Sequence, residues 1–199
     1  MESLVLAMVA EPSVSDVARS LLGAHLVGHG VTLRITEVEA YAGPADPASH
    51  AFTRTPRSEI MYGPPGRLYV YRIHGHHCAN IVTGADGTAS AVLLRAGEIT
   101  DGIGLARQRR GDKVGDDALA RGPGNLTKAL GITSADLGTD LTDGEPVHLV
   151  AAATAVAESR ILAGPRVGVR RNADVAWRFW IADDPTVSAY RRHRRAGED

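Results

Sequence analysis

The order of the apolar patterns along the chain limits the fold more than any other feature. Segments of strand period and segments of helical period fall in separate blocks, and no Gly-x-Gly-x-x-Gly follows a strand. Val14, Val17, Ala18, Leu21 and Leu22 recur at helical spacing behind Ser13, with Gly23 just past the end. A hairpin follows, from His25 to Gly28, around His29-Gly30, and on through Val31, Leu33 and Ile35. Further strands are predicted at Leu68–Ile73, through Asn80–Val82, and at Ala89–Ala96. Helices are predicted at Ile99–Arg109, Asp116–Ala120 and Asn125–Leu130, then strands at Val147–Ala151, Val167–Arg171 and Trp177–Ala182. The expectation is an α+β fold: one domain over 1–199, with a largely antiparallel, curved β-sheet flanked by helices.

A chain of 199 residues can bury a core without staples, and 44% apolar with 23% charged residues argues against disorder. A single cysteine excludes a disulfide framework or a four-cysteine zinc site and fits a reducing compartment, so a cytoplasmic location is expected. The run Leu4–Ala10 is too short to span a bilayer, and Glu2 precedes it where a signal peptide would be basic, so no membrane association is expected. The net charge is −1, yet 20 of the 22 Lys and Arg residues are arginine, which forks onto phosphates. That bias permits a phosphate-bearing partner but equally fits genome composition. The tail Arg191–Asp199 has the composition of a segment that frays.

Chemically able groups concentrate between Ile35 and His50. If a period of two persists along the strand, Glu37, Glu39 and Tyr41 continue the face of Val31, Leu33 and Ile35, unless a bulge changes the phase. A carboxylate at the mouth of an apolar sheet face suits general-base work, an aromatic two residues on can stack a flat ligand, and a loop histidine can donate to it. Solvated glutamates on an edge strand are the plainer alternative. From Ala42 to Pro65 the Gly- and Pro-rich text reads as a long loop. On later strands Tyr69, Tyr71 and Ile73 share one face, and Ala91, Leu93 and Arg95 share another opposite Val92 and Leu94.

Val38-Glu-Ala-Tyr-Ala-Gly-Pro44 with His50, Thr55-Pro-Arg57 and Gly66-Arg-Leu-Tyr-Val-Tyr71 resembles the 3-methyladenine (alkyladenine) DNA glycosylases. The similarity continues through His74-Gly75, Cys78-Ala-Asn80, Val92-Leu-Leu-Arg-Ala96, Arg121-Gly-Pro-Gly-Asn125 and Pro165-Arg-Val-Gly-Val169, in order over most of the chain. The resemblance implies excision of damaged purines from double-stranded DNA by hydrolysis of the N-glycosidic bond. It implies that Glu39 activates the water and Arg95 helps hold that site. Tyr41, His50 and Tyr71 would sandwich the flipped base, above a pocket that includes Leu93. Asn80 would crowd the exocyclic amine of guanine. A 3- or 7-alkylated purine is already cationic and leaves without an acid, so one carboxylate suffices, and aromatic walls favour such a base. Lys113 and Lys128 lie outside the cluster, which favours a monofunctional enzyme using water over one using a Schiff base, with the N-terminal amine left open.

The chain departs from the family at His74, where a tyrosine usually wedges into the gap left by the flipped nucleotide, and it is one residue shorter between Gly75 and Cys78. His74 is expected to act as the wedge. On a regular strand His74, His76 and Cys78 would share a face, as a zinc site requires, but no fourth ligand is evident and no metal is expected. Gly124 and Asn125, at a glycine-rich helix entry, could dock a DNA phosphate or simply cap the helix. Arg57 is the preferred phosphate contact, ahead of the runs Arg107/Arg109/Arg110 and Arg191/Arg192/Arg194/Arg195. The expected protein is a cofactor-free monomer needing no obligate protein partner. A damaged-nucleic-acid binder that cleaves weakly, because its wedge is altered, and a hydrolase of free nucleosides are the alternatives.

Overall fold

The computed structural model describes residues 13–198, so the Leu4–Ala10 run and the N-terminal amine lie outside the described residues. Among the described residues the helices are α1 (Val14–Ser20), α2 (Ile103–Arg110) and α3 (Pro123–Leu130). The strands are β1 (His25–Gly28), β2 (Val31–Tyr41), β3 (Leu68–Ile73), β4 (His76–Thr83), β5 (Ser90–Asp101), β6 (Val147–Val150), β7 (Ile161–Gly164) and β8 (Arg178–Ile181). They form one antiparallel sheet of order β3-β4-β5-β2-β1-β6, with β8 pairing both β2 and β7. Among the described residues no helix is long and apolar enough to cross a membrane.

The two hairpins β1–β2 and β3–β4 use the same device. His29-Gly30 and His74-Gly75 both have positive φ, near 48° at histidine and 81° at glycine. Two such residues make the tight turn whose twist matches that of paired strands.

β2 is the centre of the sheet. One edge pairs with β5, and the other pairs first with β1 and then, past Ile35, with β8. Register shifts between Ile35 and Glu37 and between Glu37 and Val38 mark bulges, and they correct the phase expected from a strict period of two. Val31, Leu33 and Ile35 enter the main core, but beyond the bulge Val38 and Ala40 take over that face. Glu39 and Tyr41 are thereby turned to the other face, toward a cleft rather than into packed hydrocarbon.

Other boundaries moved for local reasons. β5 runs on to Asp101, because Leu33 and Thr32 of β2 pair with Ile99 and Asp101, so α2 starts at Ile103 rather than Ile99. Only one short 3-10 turn, Asp116–Ala118, stands where a helix to Ala120 was expected. Val167–Arg171 is not a strand. It is a loop that follows β7, a four-residue strand whose weak pattern the sequence reading missed. The charged tail is tied back to that loop, with Gly168 N–H donating to the Arg191 carbonyl and Gly197 N–H to the Arg170 carbonyl.

Candidate active site

Four adjacent strands contribute one lateral row of residues. Tyr69 on β3 pairs with Asn80 on β4, Asn80 with Leu93 on β5, and Leu93 with Glu39 on β2. Side chains directly opposite across antiparallel strands share a face, so this row forms the floor of a cleft. The neighbouring pairs Tyr71–Cys78 and Tyr41–Ala91 extend it. The cavity measures about 560 Å³, within the usual size of a small-molecule site. It brings together Glu39, Arg95, Tyr41, His50, Tyr71, Asn80 and Leu93, the residues that the resemblance implied.

Glu39 is buried, and its carboxylate is held from three directions. Oε1 accepts the Val167 backbone N–H at 2.6 Å and lies 3.3 Å from Arg95 Nη1, while Oε2 accepts the Tyr41 hydroxyl at 2.9 Å. A carboxylate oxygen can accept about two hydrogen bonds, so Oε2 retains a lone pair for a water molecule. Burial, and next the Glu39 charge, raise the Tyr41 pKa well above its ordinary value, so its hydroxyl stays a donor.

Glu37, two residues before Glu39 and also buried, is fully engaged. It accepts from Arg95 Nε, Arg178 Nε, and the Ser188 hydroxyl and backbone N–H, at 2.6–3.0 Å. Burial alone would raise its pKa, but the Arg95 and Arg178 guanidiniums more than offset this and hold it below the usual value. Glu37 therefore orients Arg95 rather than meeting a ligand.

Sequence reading assigned no role to Arg166 and Asp46, yet they frame the site. Arg166 is 1% exposed and Asp46 fully buried. The guanidinium pairs with both Asp46 oxygens, donates to the Ala40 carbonyl, and lies between the Tyr41 and Trp177 rings at 4.6 and 5.2 Å. Val167, the next residue, is thus set to present its N–H to Glu39. The available signal was an arginine inside the apolar Pro165–Val169 motif. Asp46 also accepts the Ala48 N–H, which folds the loop leading to His50. Gly43 opens that loop with φ of 59°, where a Cβ would stand 1.9 Å from the Ala89 carbonyl oxygen, so only glycine fits.

His50 sits at the mouth of the cleft with its ring edge-on to Tyr71, 4.5 Å between centroids, and its Nδ1 is 2.9 Å from the Tyr69 hydroxyl. Burial against these rings, and then the nearby Arg57 guanidinium, lower its pKa to about 4. At pH 7 roughly one molecule in a thousand carries the imidazolium, so His50 is a hydrogen-bonding group and a poor acid. Arg57 is exposed and lies over the Tyr71 ring at 5.1 Å. Asn80 is buried and donates from Nδ2 to the Tyr69 carbonyl, which fixes its amide at the cleft floor.

His74 lies at the exposed apex of the β3–β4 hairpin. Its left-handed φ takes it out of the strand alternation, so His74, His76 and Cys78 do not form the shared face expected of a regular strand. Among the described residues no group of three His, Cys, Asp or Glu side chains is arranged to hold a metal. Gly124 packs against the same hairpin, where a Cβ would stand 2.9 Å from the His76 Cβ, and the Asn125 amide donates to the Arg121 carbonyl. The cationic runs are mostly engaged within the chain. Arg107 pairs with Asp116, Arg109 donates to the Ala129 and His29 carbonyls, Arg110 donates to that of Leu119, and Arg192 pairs with Asp174. No lysine is among the described residues lining the cleft.

A profile of the family described as methylpurine-DNA glycosylase matches residues 8–185. Proteins provisionally named 3-methyladenine DNA glycosylase are similar over most of the chain. One from Mycolicibacterium fortuitum is 54% identical over 187 residues, covering 90% of this chain and 94% of that protein. One from Mycobacterium tuberculosis strain H37Rv is also 54% identical, with 90% of each chain covered. A third, from Mycobacterium sp. strain KMS, is 51% identical over the same share of both.

Proposed function

The chain belongs to the methylpurine-DNA glycosylase family and is a DNA-repair purine N-glycosylase, and from that premise we propose how its cleft carries out the reaction. The observation that carries the proposal is a buried carboxylate, Glu39, held by two hydrogen bonds and the Arg95 ion pair at the foot of an aromatic-sided cleft, with a lone pair left on Oε2.

An alkylated purine is rotated out of the duplex, because its target bond cannot be reached inside the stack. Its ring enters between Tyr41 on one side and Tyr71 with His50 on the other, above Asn80 and Leu93. Neutral aromatic faces favour the positive charge of a 3- or 7-alkylated base. Asn80, fixed by its bond to the Tyr69 carbonyl, leaves little room for the exocyclic amine of guanine. Water on Glu39 Oε2 attacks C1′ and passes a proton to the carboxylate. The electron pair of the breaking N-glycosidic bond returns to the purine and cancels its charge, so the free base departs and an abasic site remains. The negative charge of Glu39 also favours the oxocarbenium character that develops on the sugar. Arg95, held by Glu37, keeps the carboxylate aimed for this step.

Around the cleft, Arg57 is placed to meet a phosphate beside the flipped nucleotide. The backbone amides of Gly124 and Asn125, at the start of α3 where it abuts the hairpin, offer a second contact. The tip of that hairpin, with His74 at its apex, enters the duplex.

The decisive experiment compares base release from methylated duplex DNA by the wild type and by Glu39→Gln. The variant should keep its DNA affinity and lose release by at least a hundredfold, the low end for general-base catalysis. Unchanged release would reject Glu39 as the base.

A further inference from the structure

The tip of the β3–β4 hairpin carries an apolar side chain that the fold itself does not use. Ile73 is 43% exposed, although it lines the cleft together with Tyr69 and Tyr71. Residues 69, 71 and 73 alternate onto one face of β3, so Ile73 is the outermost member of the row that forms the aromatic side of the pocket. The two-residue turn at His74-Gly75 pairs Ile73 directly with His76 and ends the strand there. A β-branched alkyl group therefore stands at the mouth, between the slot for the extruded base and the solvent from which DNA must approach. Three exposed arginines belong to the same region: Arg57 over Tyr71, Arg72 preceding Ile73 in β3, and Arg171 in the cleft lining.

We infer that Ile73 is the side chain that fills the gap left in the base stack by the flipped nucleotide, with His74 at the apex contacting the DNA beside it. The inference rests on the glycosylase reading above and names the group that holds the flipped state open. A stacked duplex is dry and apolar between its base pairs, and proteins that part base steps commonly insert Ile, Leu, Met or Phe. A branched alkyl group gains by leaving water for that space, whereas an imidazole must give up hydrogen bonds to water to enter it. His74 also belongs to the turn, outside the alternation that directs residues 69, 71 and 73 along the cleft. The shortened hairpin thus moves the wedge from the turn to the last strand residue.

The test uses the full chain and one oligonucleotide containing a methylated purine, presented as a duplex or as a single strand, with 2-aminopurine beside the lesion to report unstacking. Ile73→Ala should lose about tenfold or more in single-turnover release from duplex, matching the lost burial of one aliphatic side chain, and should lose clearly less from the single strand, where no stack has to be refilled. The fluorescence rise on duplex binding should shrink in parallel, and Ile73→Leu should restore both. His74→Ala should lose less on duplex than Ile73→Ala. An exposed residue adds little to folding, and an unchanged urea midpoint for Ile73→Ala would establish that. Equal losses on both substrates, or a duplex-selective loss confined to His74→Ala, would overturn the inference and leave the glycosylase reading intact. Failure of the wild type to release base from either substrate would instead reject that reading.

Discussion

Replacing Asp46 with alanine strands a buried guanidinium. In the native protein Arg166 meets both Asp46 oxygens and the Ala40 carbonyl, and its Nε is already buried without a partner among the described residues. With Asp46→Ala the only remaining partner given by the structure is one carbonyl, in a site with 1% exposure. Breaking a buried ion pair from one side costs about 3–5 kcal/mol, a large share of the roughly 5–15 kcal/mol that keeps a domain folded. For a chain of this size that corresponds to a fall in Tm of about 6–20 °C. Urea unfolding followed by tryptophan fluorescence measures it directly, because Trp177 lies against the same guanidinium. The double variant Asp46→Ala/Arg166→Met removes the stranded charge and should regain much of the loss, since apolar replacement of a buried pair is often neutral. Its base release should nevertheless stay low, because Arg166 backs the Tyr41 ring and precedes the Val167 N–H that holds Glu39. A cost below about 1 kcal/mol for Asp46→Ala would show that the pair is hydrated rather than dry. Stability and release recovering together in the double variant would refute the positioning role of Arg166.

Two further outcomes follow from the charges around the cleft. Glu37 has a lowered pKa, so its stabilisation is complete above the unfolded value of about 4.5 and drains away as pH falls through the lower folded value. Glu37→Gln should therefore flatten the acid limb of a stability–pH curve below about pH 4.5 and cut release by disorienting Arg95, and an acid limb as steep as that of the wild type would count against this. His50, with a pKa near 4, stays neutral through the working range, so its titration should leave no break between pH 5 and 8 in single-turnover release of 7-methylguanine. A break near pH 6.5 that disappears in His50→Gln would show that the ring titrates normally.

The local pattern of this chain was readable wherever a decision depended on neighbours in sequence. Leu68–Ile73 fell where alternation placed it, as did the division of β5 into Val92 and Leu94 on one face and Leu93 and Arg95 on the other. The His29-Gly30 turn was legible for the same reason, since turn chemistry resides in two residues, whereas the like turn at His74-Gly75 went unread. The residue types at the site were legible too, through motifs that resemble a known family. Decisions that depend on partners far along the chain were not. The bulge after Ile35 arises as β2 exchanges β1 for β8 along one edge, and no property of Thr36 or Glu37 alone announces it. Glu37 is claimed by Arg178 and Ser188, 141 and 151 residues away, and this is why one glutamate is structural and its neighbour two residues on is poised for water. Val167–Arg171 has strand composition, but its Val167 N–H goes to a carboxylate rather than to a neighbouring strand. The sequence alone therefore determined which side chains were available and which face each strand offered. Register across four strands decided that Tyr69, Asn80, Leu93 and Glu39 stand in one row, because backbone pairing sets lateral neighbours that no single segment encodes.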